Sequence, residues 1–200
     1  MHYITDILYW ISTGLLVPVI LLLIYFFVRA LLLVGGFFGQ YLDLRKNQTR
    51  LRPLMDALTS DNLNTLAEAL PKKSRSLSVD YMKQILDAQD DVTRVEKLLS
   101  DFELDAEKDM ELPKTLAKMG PMLGLMGTLI PMGPALVGLA NGDIASMAYN
   151  MQVAFATTVV GLFSAAVGFV VLQCKQRWYR RDLNTLEFIA QLVEQKQQAR

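Results

Sequence analysis

The chain has 200 residues, of which 20 are basic and 20 acidic, so its formal net charge is zero. This balance gives no reason to expect a nucleic-acid partner, which would require an excess of positive charge. One cysteine and one histidine cannot form a disulfide or a metal site within one chain. We therefore expect neither a metal site nor a cofactor.

Three long segments carry no formal charge, namely residues 7–28, 119–142 and 144–174. Each is long enough to cross ~30 Å of hydrocarbon at about 1.5 Å per helical residue. The sequence therefore predicts an all-α membrane protein with three transmembrane helices, whose long helices extend into a cytoplasmic helical bundle. The predicted parts are 1–40 (N-terminus and first span), 41–115 (cytoplasmic segment), 116–140 (second span), 141–146 (outer turn), 147–174 (third span) and 175–200 (C-terminal helix).

The positions of lysine and arginine predict the orientation in the membrane. No lysine or arginine occurs in residues 1–28 or 119–174, and basic residues favour the cytoplasmic side. We expect the N-terminus and the turn at Asp143 to lie outside, and the C-terminus to lie in the cytoplasm, in the inner membrane of a prokaryote. Because residues 1–10 lack the basic start of a removable signal peptide, we expect the first span to be retained.

The first span has an unusual inner end, because Arg29 interrupts an apolar run that then resumes. We expect the helix to leave the membrane near Arg29, whose side chain can reach the headgroups, and to continue into the cytoplasm.

The cytoplasmic segment is predicted to contain short helices near 53–59 and 61–70, a polar loop at 72–78, and a longer helix from about Val79 to Glu111. The end of the long helix is acidic. A solvated face is the simpler interpretation; the alternatives are a docking surface for a basic partner or a ring of negative charge at an ion exit. The acidic residues are Asp101, Glu103, Asp105, Glu107, Asp109 and Glu111.

The second and third spans contain small residues at helical spacing, which allow helix backbones to approach closely in lipid. The residues predicted to pack an inner ring are Gly120, Gly124, Gly127, Pro131, Gly161 and Ala165. Three threonines, Thr128, Thr157 and Thr158, lie deep in these spans. Their hydroxyls either bond to carbonyls of their own helix or line a path for a proton or a sodium ion.

Two motifs in these spans resemble a known family. Residues 120–128, GPMLGLMGT, are similar to the start of the second-to-last span of the MotA/TolQ/ExbB proton channel family. Residues 156–166, ATTVVGLFSAA, resemble its last span. With three spans and an outside N-terminus, the layout is closest to the ExbB/TolQ branch, since the flagellar branch has four spans.

The resemblance implies a homopentamer whose last two spans surround the single transmembrane helices of two partner subunits. An aspartate on the partner helix would bind and release the ion, and Thr128 and Thr158 match the family threonines that face it. Ion flow would turn the ring relative to the partner. Membrane lipid surrounds the assembly, and no nucleic acid takes part.

The chain also departs from the family pattern. The ExbB/TolQ branch has a glutamate five positions before the last-span threonine, where this chain has Val153. Pro131 and Pro134 are likewise outside the expected pattern, which predicts a divergent subgroup. Because spans two and three contain no titratable carboxylate, a carboxylate that carries the ion must come from another chain or be absent.

The predicted function is therefore the ring subunit of an ion-driven motor or stator complex. The alternative is a non-motor membrane scaffold or transporter subunit, in which the small-residue faces only pack helices. We do not expect an enzyme, because the sequence shows no nucleophile and base pair, metal constellation or phosphate-binding loop.

Overall fold

The computed structural model describes residues 2–56, 66, 70, 76–89 and 91–198, and these residues form helices without any strand. Three helices are long and apolar enough to cross a membrane: Ile7–Leu44, Val92–Ala140 and Ile144–Gln197. The prediction of an all-α membrane protein with three spans is confirmed. In chain order the helices are α1 (His2–Gly14), α2 (Leu16–Asp56), α3 (Leu77–Asp87), α4 (Val92–Ala140) and α5 (Ile144–Gln198).

A short interruption at Leu15 separates α1 from α2 within the first span. Pro18 has no backbone N–H to donate to the carbonyl of Gly14, so the helix ladder cannot be continuous there. The N–H of Leu15 is shared between the carbonyls of Ile11 and Ser12, each at 3.1 Å. The proline thus accounts for the one break in an otherwise continuous apolar segment.

Helix α2 continues well beyond the predicted membrane exit at Arg29. The Arg29 Nε donates to the hydroxyl of Tyr25 at 2.9 Å, and the guanidinium lies 5.5 Å from the centre of the Tyr25 ring. Residues 53–56, predicted to begin a separate short helix, belong to α2. The rest of the predicted helices at 53–59 and 61–70 lies outside the described residues, apart from Leu66 and Leu70. The predicted loop at 72–78 also lies partly outside them, but Leu77 and Ser78 are already in α3.

The prediction of one helix from Val79 to Glu111 is wrong, because the helix ends at Asp87 and a new one begins at Val92. The Asp91 carboxylate accepts a hydrogen bond from the Arg94 N–H at 3.1 Å and so caps α4. The break lets α3 and the start of α4 bury their apolar residues in the same core, which the two ends of one straight helix could not do.

The chain divides into two compact units. The first comprises Met1–Val34 and Leu112–Leu172. In its core, α2 packs against α4 through residues that a membrane helix buries readily because they are entirely apolar. They are Val19, Leu23, Phe26 and Ala30 of α2, and Leu116 and Leu123 of α4.

The second unit comprises Gly35–Glu111 and Gln173–Arg200. The last part of α5 lies in its core, since Leu186 and Ile189 are fully buried. Trp178 stacks on Phe37, with ring centres 5.0 Å apart and planes at 6°. Near the end of α5, the Gln197 side-chain amide donates to the Gln89 carbonyl at 2.7 Å, which fixes the connection between α3 and α4.

Candidate functional site

A tight turn joins the second and third spans. Gly142 has a φ of +75°, a left-handed conformation that residues with a Cβ rarely adopt. The Asp143 N–H donates to the Gly138 carbonyl at 2.8 Å, and the Asp143 carboxylate accepts from the Ser146 N–H at 3.0 Å. The only charged residue between Lys118 and Lys175 therefore caps the start of α5.

Glycines bring the backbones of α4 and α5 into direct contact. A Cβ added at Gly161 would lie 2.7 Å from the Gly120 carbonyl oxygen and 2.9 Å from the Gly124 Cα. A Cβ added at Gly120 would lie 2.7 Å from the Gly161 carbonyl oxygen and 3.0 Å from the Ala165 Cβ. No other residue fits at Gly120 or Gly161 without separating the helices. The small residues predicted to pack an inner ring therefore pack, in this chain, against each other.

The contact continues on both sides of this crossing. A Cβ at Gly127 would lie 2.6 Å from the Thr157 Cβ, and one at Gly168 would lie 2.8 Å from the Pro113 carbonyl oxygen. Pro131, the remaining residue of the predicted packing set, is fully buried. The two spans thus form one closely packed hairpin.

The three threonines of the predicted ion path differ in their surroundings. Thr157 is buried against Gly127, and its hydroxyl donates to the carbonyls of Val153 at 3.0 Å and Ala154 at 2.9 Å. Thr128 and Thr158 are both partly exposed. Thr157 therefore lies inside the hairpin contact, whereas the other two lie at its border.

The hydroxyls of Thr128 and Thr158 also donate to their own helices. Thr128 bonds to the Leu125 carbonyl at 2.7 Å and Thr158 to the Ala154 carbonyl at 3.1 Å. A hydroxyl that has donated its proton keeps lone pairs on its oxygen. Gly124, one turn before Thr128, lies against the backbone of Thr158, and each threonine oxygen can still accept a hydrogen bond or coordinate a cation.

An ion pair between a buried lysine and a partly exposed aspartate joins α4 and α5 in the second unit. Lys175 is only 4% exposed, and its ammonium bonds to the Asp109 carboxylate. The hydroxyl of Tyr179 donates to the same carboxylate oxygen. Burial, and then this hydrogen bond to Asp109, raise the pKa of Tyr179 above its usual value. The carboxylate thus satisfies two buried polar groups of α5.

The spacing and charge patterns considered above did not predict this pair, although the sequence contains a signal for it. Asp109 lies 33 residues before Gly142 and Lys175 lies 33 residues after it. In an antiparallel helical hairpin with its turn at Gly142, residues equally distant from the turn lie at the same level. A buried lysine needs an opposite charge, and the residue at its level in the acidic stretch is Asp109.

A second member of the acidic stretch also has a structural role. The hydroxyl of Tyr81, on α3, donates to the Asp105 carboxylate at 2.7 Å. Burial and this bond raise the pKa of Tyr81 to about 12. Phe102 lies between Tyr81 and Tyr179, with ring centres 5.5 Å and 6.2 Å away. Asp105 and Asp109 therefore each accept a hydrogen bond from a tyrosine, although Asp105 is exposed and Asp109 is partly exposed.

A small cavity in the second unit is lined in part by the Asp182 carboxylate. Burial raises the pKa of Asp182 to about 6, although a hydrogen bond from Ser78 and the charge of Arg181 lower it in part. The other residues that line the cavity are Gln40, Asp43, Leu44, Ser76, Leu77, Trp178 and Tyr179.

The protein is expected to lose stability as the pH rises through 6. Between pH 3.8 and 6 the folded state keeps a proton on Asp182 that the unfolded state has lost, so raising the pH disfavours folding. The effect reaches up to ~3 kcal/mol. In thermal unfolding from pH 3.5 to 8, Asp182→Asn should reduce the loss of stability between pH 4 and 6, and at pH 7.5 it should melt at a higher temperature than the unsubstituted protein. Asp87→Asn, at an exposed position, is the control; a dependence unchanged by Asp182→Asn contradicts the prediction.

Comparison with known families identifies the family to which the chain belongs. A family model described as the MotA/TolQ/ExbB proton channel family matches residues 63–187, more than half of the chain. The chain belongs to the MotA/TolQ/ExbB proton channel family. The matched range contains both spans of the hairpin, the three threonines and all the packing residues named above. No curated protein matches the chain. The resemblance predicted from the two span motifs is confirmed at the level of the family, whose members form channel complexes of the motor and stator type.

Proposed function

We propose that the chain is the ring-forming subunit of an ion-driven stator complex, a homopentamer around two single-span partner subunits. The observation that supports this most is the hairpin itself. Its glycines close one face, no charged residue occurs in 119–142 or 144–174, and Thr128 and Thr158 stay partly exposed at the border. Such a hairpin can border an ion path but cannot itself exchange a proton.

The two spans of the hairpin contain no carboxylate that can bind and release a proton, so the partner must supply one. Threonine hydroxyls do not titrate in the physiological range, so a carboxylate must bind and release the ion. An aspartate on the partner's transmembrane helix would fill this role. When protonated, its hydroxyl can donate to the oxygen of Thr128 or Thr158; for sodium, the same oxygens can replace water ligands. The proposal assigns no enzymatic reaction to the chain.

The three-span layout supports a place in the ExbB/TolQ branch, within a divergent subgroup. The branch glutamate is replaced by Val153, whose carbonyl accepts the Thr157 hydroxyl. No carboxylate relay can therefore start at this position. The proposed role as a stator subunit places the chain in the inner membrane of a prokaryote, and the distribution of lysine and arginine supports an outside N-terminus and a cytoplasmic C-terminus.

Replacing Thr158 tests the ion path directly. Thr158→Val keeps the shape of the side chain but removes the oxygen, so we expect ion flux in liposomes containing the chain and its single-span partner to fall at least about tenfold. The oligomer mass, measured by native mass spectrometry, should not change. Thr185→Val is the matched control, because Thr185 lies outside the spans and bonds to the Arg181 carbonyl. Unchanged flux in Thr158→Val would remove Thr158 from the path.

A non-motor scaffold or transporter subunit remains the second candidate, favoured by the fact that the glycine faces are already occupied within one chain. The two functions differ in their need for an ion gradient. An ionophore that collapses the gradient should stop the work of a stator complex and leave a scaffold unaffected. A chain that purifies as a monomer, with no single-span partner, would contradict the stator proposal.

A further inference from the structure

An open groove lies in the second unit, between the start of α4 and the last part of α5. Its volume is about 400 Å³. The floor is apolar and comes from both helices, and two of its residues, Val95 and Val193, are only 3% and 1% exposed. The floor residues are Val92, Val95, Leu99, Ala190 and Val193.

The groove has carboxylates on both helices. Glu96 on α4 and Glu187 on α5 are both exposed, and Glu194 and Gln191 complete the lining. Among the described residues that line it there is no lysine or arginine. The groove therefore combines an apolar floor with negative charge on each side.

The spacing of the lining residues determines the shape of a suitable occupant. On α4 the lining extends from Val92 to Leu99, and on α5 from Glu187 to Glu194. Seven residues correspond to about 10 Å, or two helical turns. A second helix lying along the groove would place residues spaced by three, four and seven on the floor. Residues flanking this stripe would then reach Glu96 and Glu187.

We propose that this groove docks a basic amphipathic helix of another protein. The apolar stripe of the helix packs over the part of the floor that is still accessible, namely Val92, Leu99 and Ala190. Its lysine or arginine side chains pair with Glu96 and Glu187. Exposed pairs of this kind contribute to association rate and to the choice of partner more than to affinity. Anionic lipid headgroups do not fit, because the carboxylates would repel them. The inference is independent of the proposed ion path.

A synthetic peptide tests the proposal. The probe is a fluorescein-labelled, 18-residue helix of leucine and lysine, with leucine at positions spaced by three and four. Its binding to the purified full-length chain in an uncharged maltoside detergent is measured by fluorescence anisotropy. We expect saturable binding that weakens as salt is added. Glu96→Gln/Glu187→Gln should reduce the affinity at least about tenfold.

The matched control removes the same charge elsewhere in the unit. Asp87 and Glu111 are exposed and do not line the groove, so Asp87→Asn/Glu111→Gln should bind as the unsubstituted chain does. If the two double substitutions weakened binding equally, the peptide would be binding to net charge alone, and the proposal would be overturned. Equal binding of a scrambled peptide with the same composition would also overturn it. A dimer that forms without peptide and is lost in Glu96→Gln/Glu187→Gln would assign the groove to a second copy and also overturn it.

Discussion

Gly161→Ala is expected to destabilise the protein by about 2–3 kcal/mol, although alanine normally stabilises a helix relative to glycine by about 1 kcal/mol. The new Cβ would lie 2.7 Å from the Gly120 carbonyl oxygen and 2.9 Å from the Gly124 Cα. Both are backbone atoms and cannot turn aside, so α4 and α5 must separate. Gly161→Leu should prevent formation of the hairpin altogether. Thermal unfolding in detergent measures both effects.

Gly133→Ala is the matched control for Gly161→Ala. Gly133 lies in α4, the other span of the hairpin, and its nearest neighbour, the Tyr9 Cε2, would be 3.9 Å from the added Cβ, an ordinary contact. We expect Gly133→Ala to leave the unfolding temperature unchanged or to raise it. The two substitutions should thus differ in sign. If Gly161→Ala were as stable as Gly133→Ala, the close contact at Gly120 would be refuted.

Asp109→Asn is expected to destabilise the protein by about 1–3 kcal/mol, because it leaves the buried ammonium of Lys175 without an opposite charge, while the Asp109 side chain itself is 37% exposed and partly screened by water. The cost comes from the unpaired charge, and removing that charge should recover most of it. We therefore expect Asp109→Asn/Lys175→Met to be more stable than Asp109→Asn alone, as measured by thermal unfolding of both variants and of Lys175→Met.

Glu103→Gln is the control for the acidic stretch. Glu103 is exposed, so its neutralisation should change stability by less than about 0.5 kcal/mol. Similar losses for Asp109→Asn and Glu103→Gln would mean that the charge of the whole stretch matters and the Lys175 pair does not. Independent, additive effects of Asp109→Asn and Lys175→Met would also argue against the pair.

The membrane architecture could be predicted from the sequence because the decisive properties are local. An uncharged segment of sufficient length has few alternatives to a spanning helix. Likewise, glycines at steps of three or four must share a face whatever lies opposite them. The contact of Gly120 with Gly161 was therefore foreseeable as a type of contact, and the structure supplies its partner and distance.

The break between α3 and α4 could not be predicted by the same reasoning. The apolar stripe is interrupted at residues 88–91, and such an interruption is compatible with one bent helix or two separate ones. The choice depends on tertiary contacts, such as the bond from Gln197 to the Gln89 carbonyl, which join residues more than 100 positions apart. The hydrophobic periodicity also underestimated the length of α2, which continues to Asp56.

The difference between Thr157 and Thr158 was likewise outside the reach of the sequence. Neighbouring residues on a helix point about 100° apart, so at most one of them can face Gly127 directly. Spacing alone identifies both as buried hydroxyls. The contact of Thr157 with Gly127 decides between them, and it depends on the register that the Gly142 turn imposes on the two helices.

The equal distance of Asp109 and Lys175 from Gly142 constrains the length of each arm of the hairpin. Deleting one residue between Gly142 and Lys175 would shift the lysine by about 1.5 Å and rotate it by about 100° away from its carboxylate. Inserting or deleting about seven residues in both arms together would keep the two side chains at the same height and facing each other; other changes would not. Length variation in homologous hairpins should therefore occur in such pairs, or in the parts of the chain beyond Asp109 and Lys175.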